Sequence, residues 1–196
     1  MKIFLSEEQI QSVLRNSYPF PRDHALFHVA FATGLRVGDL LALKREDVAP
    51  DGPVLAFLFV TMRKTGKTIE RELPSACRAA LRDYLHRRED PNPYLFISES
   101  NNSRHSMRPM NRSSFQRIVK QYLRGWFTAE ELRGNACHVT RRSIAKLISD
   151  RAGRIEPASR FLGHTSIAAT VAYLDMDQYG KQADEIVKGF PWNTRC

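Results

Sequence analysis

Four short motifs along the chain place cationic and nucleophilic side chains at spacings that suit chemistry at a phosphate. In chain order they are Thr33–Leu40 with its Arg36, Lys64 before Thr65-Gly66, His138-Val139-Thr140-Arg141, and Leu162-Gly163-His164 with Tyr173 nine residues on. Each is weak alone, because a lysine on a hairpin usually serves solubility and a tyrosine at helical spacing is usually core. Together they supply two arginines, a lysine, two histidines and a tyrosine, which is an inventory for phosphoryl transfer.

These residue types can stabilise a pentacoordinate phosphorus without a metal ion. An arginine fork donates two parallel hydrogen bonds to phosphate oxygens and keeps its charge. Each positioned donor is worth about 10²–10³-fold in rate, and a cation at about 4 Å contributes on the order of 4 kcal/mol at an effective dielectric near 20. Deprotonating a tyrosine near pH 7 costs ~4 kcal/mol, so a histidine base or a cationic pocket must offset that cost. A lysine is a competent acid for the departing alkoxide.

Local signals predict helices around the first motif. Ser6-Glu7-Glu8-Gln9 is a capping box, which starts a helix that carries Ile10, Val13 and Leu14 on one face. Asp23 is predicted to cap a second helix, and Gly34 stands where that helix should end. A short helix is then expected from Asp39 to Leu43.

A β-hairpin is predicted to carry the lysine. Val54–Val60 is β-branched and aromatic, typical of a buried strand, and Thr68–Leu73 alternates as a returning strand. Lys64-Thr65-Gly66-Lys67 supplies the turn between them. Pro74-Ser75 should start a helix that runs to about Arg88, and Tyr94–Ile97 is predicted as a third short strand.

The rest of the chain indicates helices throughout. Their predicted ranges are about 113–126, a helix after the capping box Thr128–Glu131, and then 140–149, 157–162, 165–174 and roughly 177–188. The predicted fold class is therefore mainly α with a small three-stranded antiparallel β-sheet (α+β). With no long linker or internal repeat, residues 1–196 are expected to form a single domain.

Composition favours a nucleic-acid partner. The 30 lysines and arginines exceed the 21 acidic residues and give a net charge of +9, which suits counterion release from phosphates. An anionic lipid surface, or a basic bias without a partner, are the alternatives. No apolar run approaches a membrane span or a signal peptide, and Cys77, Cys137 and Cys196 are odd in number, so a reducing cytoplasm is expected. Cys137 beside His138 lacks a second close ligand pair, so a buried small side chain is favoured over a zinc site.

With these motifs in this order, the chain resembles the tyrosine recombinase (phage integrase) family from about Leu5 to Leu174. The resemblance implies the catalytic domain of DNA breaking-rejoining enzymes and makes Tyr173 the nucleophile. The other catalytic residues it implies are Arg36, Lys64, His138, Arg141 and His164, with Asp39 bracing Arg36. Lys67 is the fallback lysine if the turn register is shifted, and Tyr179 is the nearby rival nucleophile.

The resemblance implies a site-specific DNA recombinase that cleaves and rejoins DNA by metal-independent transesterification. Tyr173 forms a 3′-phosphotyrosine while Lys64 protonates the leaving 5′-hydroxyl, and the outcome is integration, inversion or resolution. No cofactor is expected. The implied partners are double-stranded DNA, three further protomers in a synaptic tetramer that exchange the segment 177–196, and an accessory protein. The expected location is the cytoplasm, at the nucleoid of a prokaryote or on a phage- or plasmid-encoded system.

The family also indicates which residues meet DNA. The helix before the His-x-x-Arg box should enter the major groove with base-edge contacts, and Lys67 and Arg142 are expected at the DNA backbone. The major-groove residues are Arg112, Ser113, Gln116 and Arg117. A solvated basic face is the alternative for each.

Two features depart from the family pattern. Arg142 follows the second arginine, where the family commonly has histidine. The catalytic pattern also begins almost at Met1, without the helical core-binding domain of about a hundred residues that members usually carry. A short member similar to the fimbrial phase-variation invertases is favoured over an excised catalytic domain. The alternative functions are relaxation of supercoils by a type IB topoisomerase and a non-catalytic DNA-binding accessory role.

Overall fold

The structure, a computed structural model, describes residues 2–98 and 107–174, in which ten helices and two strands are present. The helices are α1 Glu7–Ser17, α2 Pro21–Thr33, α3 Val37–Ala42, α4 Arg45–Val48, α5 Ser75–His86, α6 Arg112–Leu123, α7 Ala129–Leu132, α8 Val139–Ala152, α9 Glu156–Leu162 and α10 Ile167–Leu174. The strands are β1 Phe57–Thr61 and β2 Thr68–Glu72. The predicted helix 177–188, Tyr179 and Cys196 lie outside the described residues. Within the described part, no helix is long and apolar enough to cross a membrane.

Helix α2 lies at the centre of the larger hydrophobic core and packs against α1, α5, α8 and β2. The capping box before α1 is confirmed, because Ser6 Oγ accepts from the Gln9 amide at 3.2 Å and Gln9 Oε1 accepts from the Ser6 amide at 2.9 Å. The prediction that Asp23 caps α2 is wrong. The helix begins two residues earlier at Pro21, and the Asp23 carboxylate instead pairs with Arg22.

The small sheet differs from the prediction in two ways. β1 and β2 pair antiparallel, with Phe57 opposite Glu72 and Thr61 opposite Thr68. Alternate residues of β1 are buried, whereas Phe57 and Phe59 are exposed, so one face of the hairpin covers the core and the predicted fully buried strand is wrong.

The predicted third strand at Tyr94–Ile97 is also wrong. Leu95, Phe96 and Ile97 are buried, but the backbone of the segment makes only an isolated bridge between Tyr94 and Lys44 in the described part of the chain. The Leu95 amide bonds the Leu43 carbonyl, and the Phe96 carbonyl accepts from the amide of Met110. The segment therefore crosses the core as an extended connector, because its partners are loop residues rather than a strand.

Two arginines join the C-terminal ends of α2 and α9. Gly34 ends α2 with φ +58°, and Gly163 ends α9 with φ +63°, both in the left-handed region that glycine enters without strain. Arg141 donates to the carbonyls of Gly34 and Leu162. Because unpaired carbonyls give a helix C-terminus a partial negative charge, a guanidinium there is stabilising.

Arg71 of β2 makes a second bridge between the same helix ends. It donates to the carbonyls of Thr33 and Phe161, and its guanidinium lies 4.8 Å from the centre of the Phe161 ring. These bonds attach the hairpin to the junction of α2 and α9. The hairpin and both helix ends are therefore held as one unit.

The α2 end has no room for a side chain at Gly34. A Cβ there would clash with the Phe161 ring and would also require positive φ. We expect Gly34→Ala to lower the free energy of unfolding by about 2–4 kcal/mol, from left-handed backbone strain plus overpacking. Gly38→Ala is the matched control, since a Cβ at Gly38 meets open space and alanine is the better helix former, worth up to about 1 kcal/mol. Urea denaturation of both variants measures the difference, and equal midpoints would contradict the packing at the helix junction.

Candidate active site

The predicted catalytic residues surround one cavity of about 360 Å³. The lining residues come from five parts of the chain: the start of α3, the hairpin loop, the start of α8, the turn after α9, and α10. They are Arg36, Lys64, Thr65, His138, Arg141, Gly163, His164, Thr165, Ala169 and Tyr173. All six residues singled out in the sequence are therefore brought together, although Arg36 and Tyr173 are far apart along the chain.

The geometry of the first motif follows from the glycine that ends α2. Gly34 turns the chain sharply, and Arg36 stands at the N-terminal cap of α3 with φ −65° and ψ 148°. Its Nη1 lies 3.5 Å from the sulfur of Met62, a fully buried residue at the end of the hairpin's first arm. The guanidinium is thereby held between the helix junction and the hairpin, with donors left for the cavity.

A four-residue loop carries Lys64. The Met62 amide donates to the Lys67 carbonyl at 2.9 Å, and the Gly66 amide donates to the Met62 carbonyl at 2.8 Å. Gly66 has φ +67°, which closes this loop type at low cost. Of the two lysines in the loop, Lys64 lines the cavity, whereas Lys67 stands beside β2 and is exposed.

Arg141 is the most buried charged group at the site, with 2% of its surface exposed. Burial lowers the pKa of Arg141 to about 10, a shift that the nearby charge of Arg36 reinforces and Tyr173 opposes. The guanidinium remains charged at neutral pH and is oriented by its bonds to the carbonyls of Gly34 and Leu162. Two of its five donors are used there, so three remain.

The pKa values of both histidines of the cavity lie below the ordinary value. Burial, together with the charges of Arg141, Arg36 and Lys64, lowers the pKa of His164 to about 4. The Nδ1 atom of His164 lies 2.9 Å from Thr170 Oγ1, which leaves Nε2 as the ring nitrogen for the cavity. Burial also lowers the pKa of His138, with contributions from the surrounding arginines, Arg142 foremost.

Tyr173 lies beneath these cations. Its ring is perpendicular to the ring of His164 at 5.5 Å, and its hydroxyl is buried without a hydrogen bond to any residue of the described ranges. The guanidinium carbons of Arg141 and Arg142 lie 6.0 and 5.6 Å from the ring centre. Burial raises the pKa of Tyr173, while the positive charges of Arg141, Arg142 and Arg36 oppose that rise.

Asp39 does not make the contact expected of it. It is buried, yet residues 2–98 and 107–174 contain no ion pair between Asp39 and Arg36. Instead Asp39 Oδ1 accepts from the backbone amide of Arg63 at 3.1 Å, which ties α3 to the hairpin loop. Its support of Arg36 therefore runs through the hairpin rather than through a direct salt bridge.

The residues predicted at DNA have different environments. Arg112, Ser113 and Arg117 of α6 are exposed and Gln116 is half-buried. Arg112 Nε also donates to Cys137 Sγ at 3.0 Å, and this thiol is buried, as the sequence predicts. Arg142 is half-buried and turned toward Tyr173, so its environment is not that of an outward-facing side chain.

Several site residues carried no signal in the sequence. Met62 supports Arg36, Thr170 orients His164, and Arg71 joins the hairpin to the helix ends. Thr170 lies six residues after His164, on the next helix. This spacing does not predict a contact unless the turn at Gly163 is known. Met62 and Arg71 make contacts with residues that are 26 and 90 positions away in the sequence, so local patterns could not identify them.

Known proteins with similar sequence or fold include DNA recombinases. The model of the phage integrase family matches residues 4–179 of the chain. The tyrosine recombinase XerA of Pyrococcus furiosus is 30% identical over 152 residues, covering 78% of this chain and 49% of that relative. The chain thus spans about half the length of the curated relatives it matches.

Solved structures agree on the fold. A XerA recombinase crystal structure matches 97% of this chain and 66% of that one, with a TM-score of 0.71 at 23% identity. A XerH site-specific recombinase bound to palindromic difH substrate matches 94% of this chain and 53% of that one, with a TM-score of 0.69 at 17% identity. At these identities the likeness concerns the fold.

The lowered pKa of His164 predicts a pH dependence of stability. Between its ordinary value of 6.5 and about 4, the unfolded chain binds a proton at His164 that the folded chain does not. Stability contributed by this residue is therefore lost as the pH falls from 6.5 toward 4. We expect His164→Gln to lose less stability than the parent between pH 7 and 5 in urea denaturation. His86→Gln, at an exposed position at the end of α5, is the matched control, and parallel losses in parent and His164→Gln would contradict the cause given for the shift.

Proposed function

The chain belongs to the phage integrase family, and on that premise we propose that it is a tyrosine recombinase that cuts and rejoins DNA through a 3′-phosphotyrosine. The observation that carries the proposal is the cavity in which Arg36, Lys64 and Arg141 converge on Tyr173. In the described part of the chain, none of these three cations forms a salt bridge with a carboxylate. A phosphodiester supplies the missing negative charge.

A cluster of positive charges favours the binding of an anion and disfavours the protonation of a nearby histidine. Burial lowers the pKa of His164, and the cations contribute to this shift because they would repel a further positive charge. A phosphate in the cavity reverses this relation, since its oxygens accept from the guanidinium donors and offset the mutual repulsion. Water is a poor substitute, because it cannot balance the charge.

The chemistry we propose is a balanced transesterification. Tyr173 Oη attacks the scissile phosphorus and gives up its proton, for which His138 is the available acceptor. The bond from phosphorus to the 5′ oxygen breaks, and Lys64 protonates that oxygen. Arg36, Arg141 and the Nε2 side of His164 stabilise the non-bridging oxygens, while His138 assists proton movement.

Rejoining is the same reaction in reverse. The 5′-hydroxyl of a partner strand attacks the phosphotyrosine, Tyr173 leaves, and the phosphodiester bond is restored without a nucleotide or a metal. Asp39 contributes by holding the hairpin loop beside α3. Strand exchange between two duplexes takes four protomers in our proposal, with the segment 177–196 exchanged between neighbours and an accessory protein as a further partner.

DNA is proposed to lie across the cavity mouth and the exposed end of α6. The exposed Arg112, Ser113 and Arg117, with Gln116 beside them, are placed to contact a groove, and Lys67 to contact the backbone. The XerH relative is itself bound to its difH substrate. We assign residues 1–196 to one catalytic domain that acts in the cytoplasm at the nucleoid.

The first test is a covalent adduct. Duplexes are selected from a random pool by their binding to the protein, then nicked next to the cleavage site so that the reaction cannot reverse. We expect the protein to become covalently attached to such a duplex in EDTA, and Tyr173→Phe to reduce the adduct by more than a thousandfold because Tyr173 is the tyrosine that lines the cavity. Denaturing gels with labelled DNA measure it.

Two outcomes would change the assignment. An adduct that persists in Tyr173→Phe but disappears in Tyr179→Phe would move the nucleophile to Tyr179. Relaxation of any supercoiled plasmid, without strand exchange at a defined site, would indicate a type IB topoisomerase. Absence of any adduct on a verified binding site would leave a DNA-binding accessory protein.

The role of Lys64 as the acid has its own test. Lys64→Ala should slow cleavage by about 10²–10⁴-fold, the range for loss of a general acid. A duplex whose scissile 5′ oxygen is replaced by sulfur should restore most of that loss, because a thiolate, with a conjugate-acid pKa of about 8.5, leaves without a proton. Arg36→Ala is the control, since a residue that binds non-bridging oxygens is not rescued by a better leaving group. Equal rescue of both variants would contradict the assignment.

A further inference from the structure

Arg142 is the arginine that the sequence assigns least clearly. It directly follows Arg141 in α8, and its side chain is half-buried rather than directed outward. Its guanidinium carbon lies 5.6 Å from the centre of the Tyr173 ring, which is closer than the 6.0 Å of Arg141. At this distance a guanidinium interacts with the face of an aromatic ring.

The position of Arg142 is fixed by a neutral tether. Its Nη1 donates to Asn135 Oδ1 at 2.6 Å, and Asn135 is itself held by a bond from its Nδ2 to the Glu131 carbonyl at 2.7 Å. The carbonyl of Asn135 also accepts from the amide of His138, so the tether belongs to the turn that precedes α8. An amide holds a guanidinium without neutralising it.

The charge of Arg142 is left unbalanced. In the described part of the chain it forms no salt bridge, and its Nε is buried without a hydrogen-bond partner there. A half-buried guanidinium without a carboxylate is costly, unless an anion forms beside it. The phenolate of Tyr173 would be such an anion.

We propose that Arg142 is a catalytic residue that lies against the nucleophile Tyr173 and stabilises the negative charge that develops on its oxygen. This inference rests on the proposed function, in which Tyr173 attacks phosphorus. Arg141 also lies beside Tyr173, but two of its donors bind the helix carbonyls, and the proposed function assigns others to the phosphate. Arg142 donates to the side-chain oxygen of Asn135 and has further donors that the proposed phosphate contacts do not use.

Other charged or titratable groups also face Tyr173. The charged groups are Arg141 on the helix of Arg142, Arg36 at the start of α3 and Lys64 on the hairpin loop, and the titratable groups are His138 and His164. Lys2 approaches α10 through the Ala172 carbonyl. The effect of Arg142 must therefore be measured while these other groups stay unchanged, and single substitutions at Arg142 meet that condition.

A contact to DNA would have different consequences from a contact to the nucleophile. Loss of a phosphate contact weakens binding and reduces the salt slope by about one ion, but leaves the cleavage rate at saturating DNA unchanged. Loss of a charge beside the nucleophile leaves binding unchanged and slows cleavage in a pH-dependent way. A DNA contact therefore changes Kd, whereas a contact to the nucleophile changes the cleavage rate.

The experiment compares Arg142→Gln, Arg142→Lys and the parent chain, with tyrosines labelled by ¹³C at Cζ and the Tyr173 signal assigned by Tyr173→Phe. We expect Arg142→Gln to raise the pKa of Tyr173 by about one unit, as one charge at this range does, and Arg142→Lys to recover part of that shift. Single-turnover cleavage of saturating nicked duplex at pH 7 should fall about tenfold, with the deficit shrinking as the pH rises. Kd and its salt dependence should not change.

Matched variants keep the result interpretable. Arg117→Gln removes an exposed arginine of α6 and should change binding and its salt slope without moving the Tyr173 titration. Asn135→Ala keeps the charge of Arg142 but removes its tether, together with the bond from Asn135 to the Glu131 carbonyl. It should therefore give a smaller shift of the same sign, and it replaces Arg142→Gln if that variant does not stay folded. Thermal melts establish that each variant is folded.

The inference is overturned if the Tyr173 titration is the same in the parent, Arg142→Gln and Asn135→Ala, or if Arg142→Gln loses affinity and salt slope with an unchanged cleavage rate. The titration needs no catalysis. A shifted pKa in a chain that never forms an adduct would support the coupling of Arg142 to Tyr173 and refute the proposed recombinase activity, whereas an active enzyme with an unshifted Tyr173 would refute the role of Arg142 alone.

Discussion

The site depends on the bonds that Arg141 makes to the ends of two helices. Its guanidinium donates to the carbonyls of Gly34 and Leu162, which belong to the C-terminal turns of α2 and α9. Each turn ends at a left-handed glycine, and from these glycines the chain leads directly to Arg36 and His164. One buried arginine therefore sets the separation of two other groups of the cavity. Arg71 repeats the bridge from the hairpin side and brings the loop that carries Lys64 to the same junction.

This arrangement concentrates positive charge where the fold has little to balance it. The helix carbonyls and the distant charge of Asp39 offset part of the charge on Arg141. Burial and then repulsion by these cations lower the pKa of His164 and His138, whereas the attraction of the same cations for a phenolate opposes the effect of burial on the pKa of Tyr173. Such a cluster lowers the stability of the free protein, and a bound polyanion relieves it. The groups that repel one another in this cluster are those proposed to bind a phosphodiester.

Local interactions explain which parts of the fold could be predicted. The capping boxes at Ser6 and Thr128 and the glycine that ends α2 act within four residues, so their patterns held in the structure. The third strand failed because Leu95 and Phe96 are apolar for burial, and apolar content does not say whether a segment has a strand beside it. The prediction that Asp39 pairs with Arg36 was wrong because the Asp39 carboxylate accepts from the Arg63 amide instead. Arg63 lies on the hairpin, which the local pattern around Asp39 does not include.

Residue types and short-range spacing are enough to identify the inventory of the site, the order of its motifs, and the turns that begin or end several helices. The contacts of each side chain depend instead on how the folded elements pack. The bond from Arg141 to Gly34 spans 107 residues and that from Arg71 to Phe161 spans 90, and such contacts arise when separate elements pack around α2. Arg142 shows the difference most clearly. The sequence shows that this residue is charged. Its position against Tyr173 depends on how α8, α10 and the turn at Asn135 pack together.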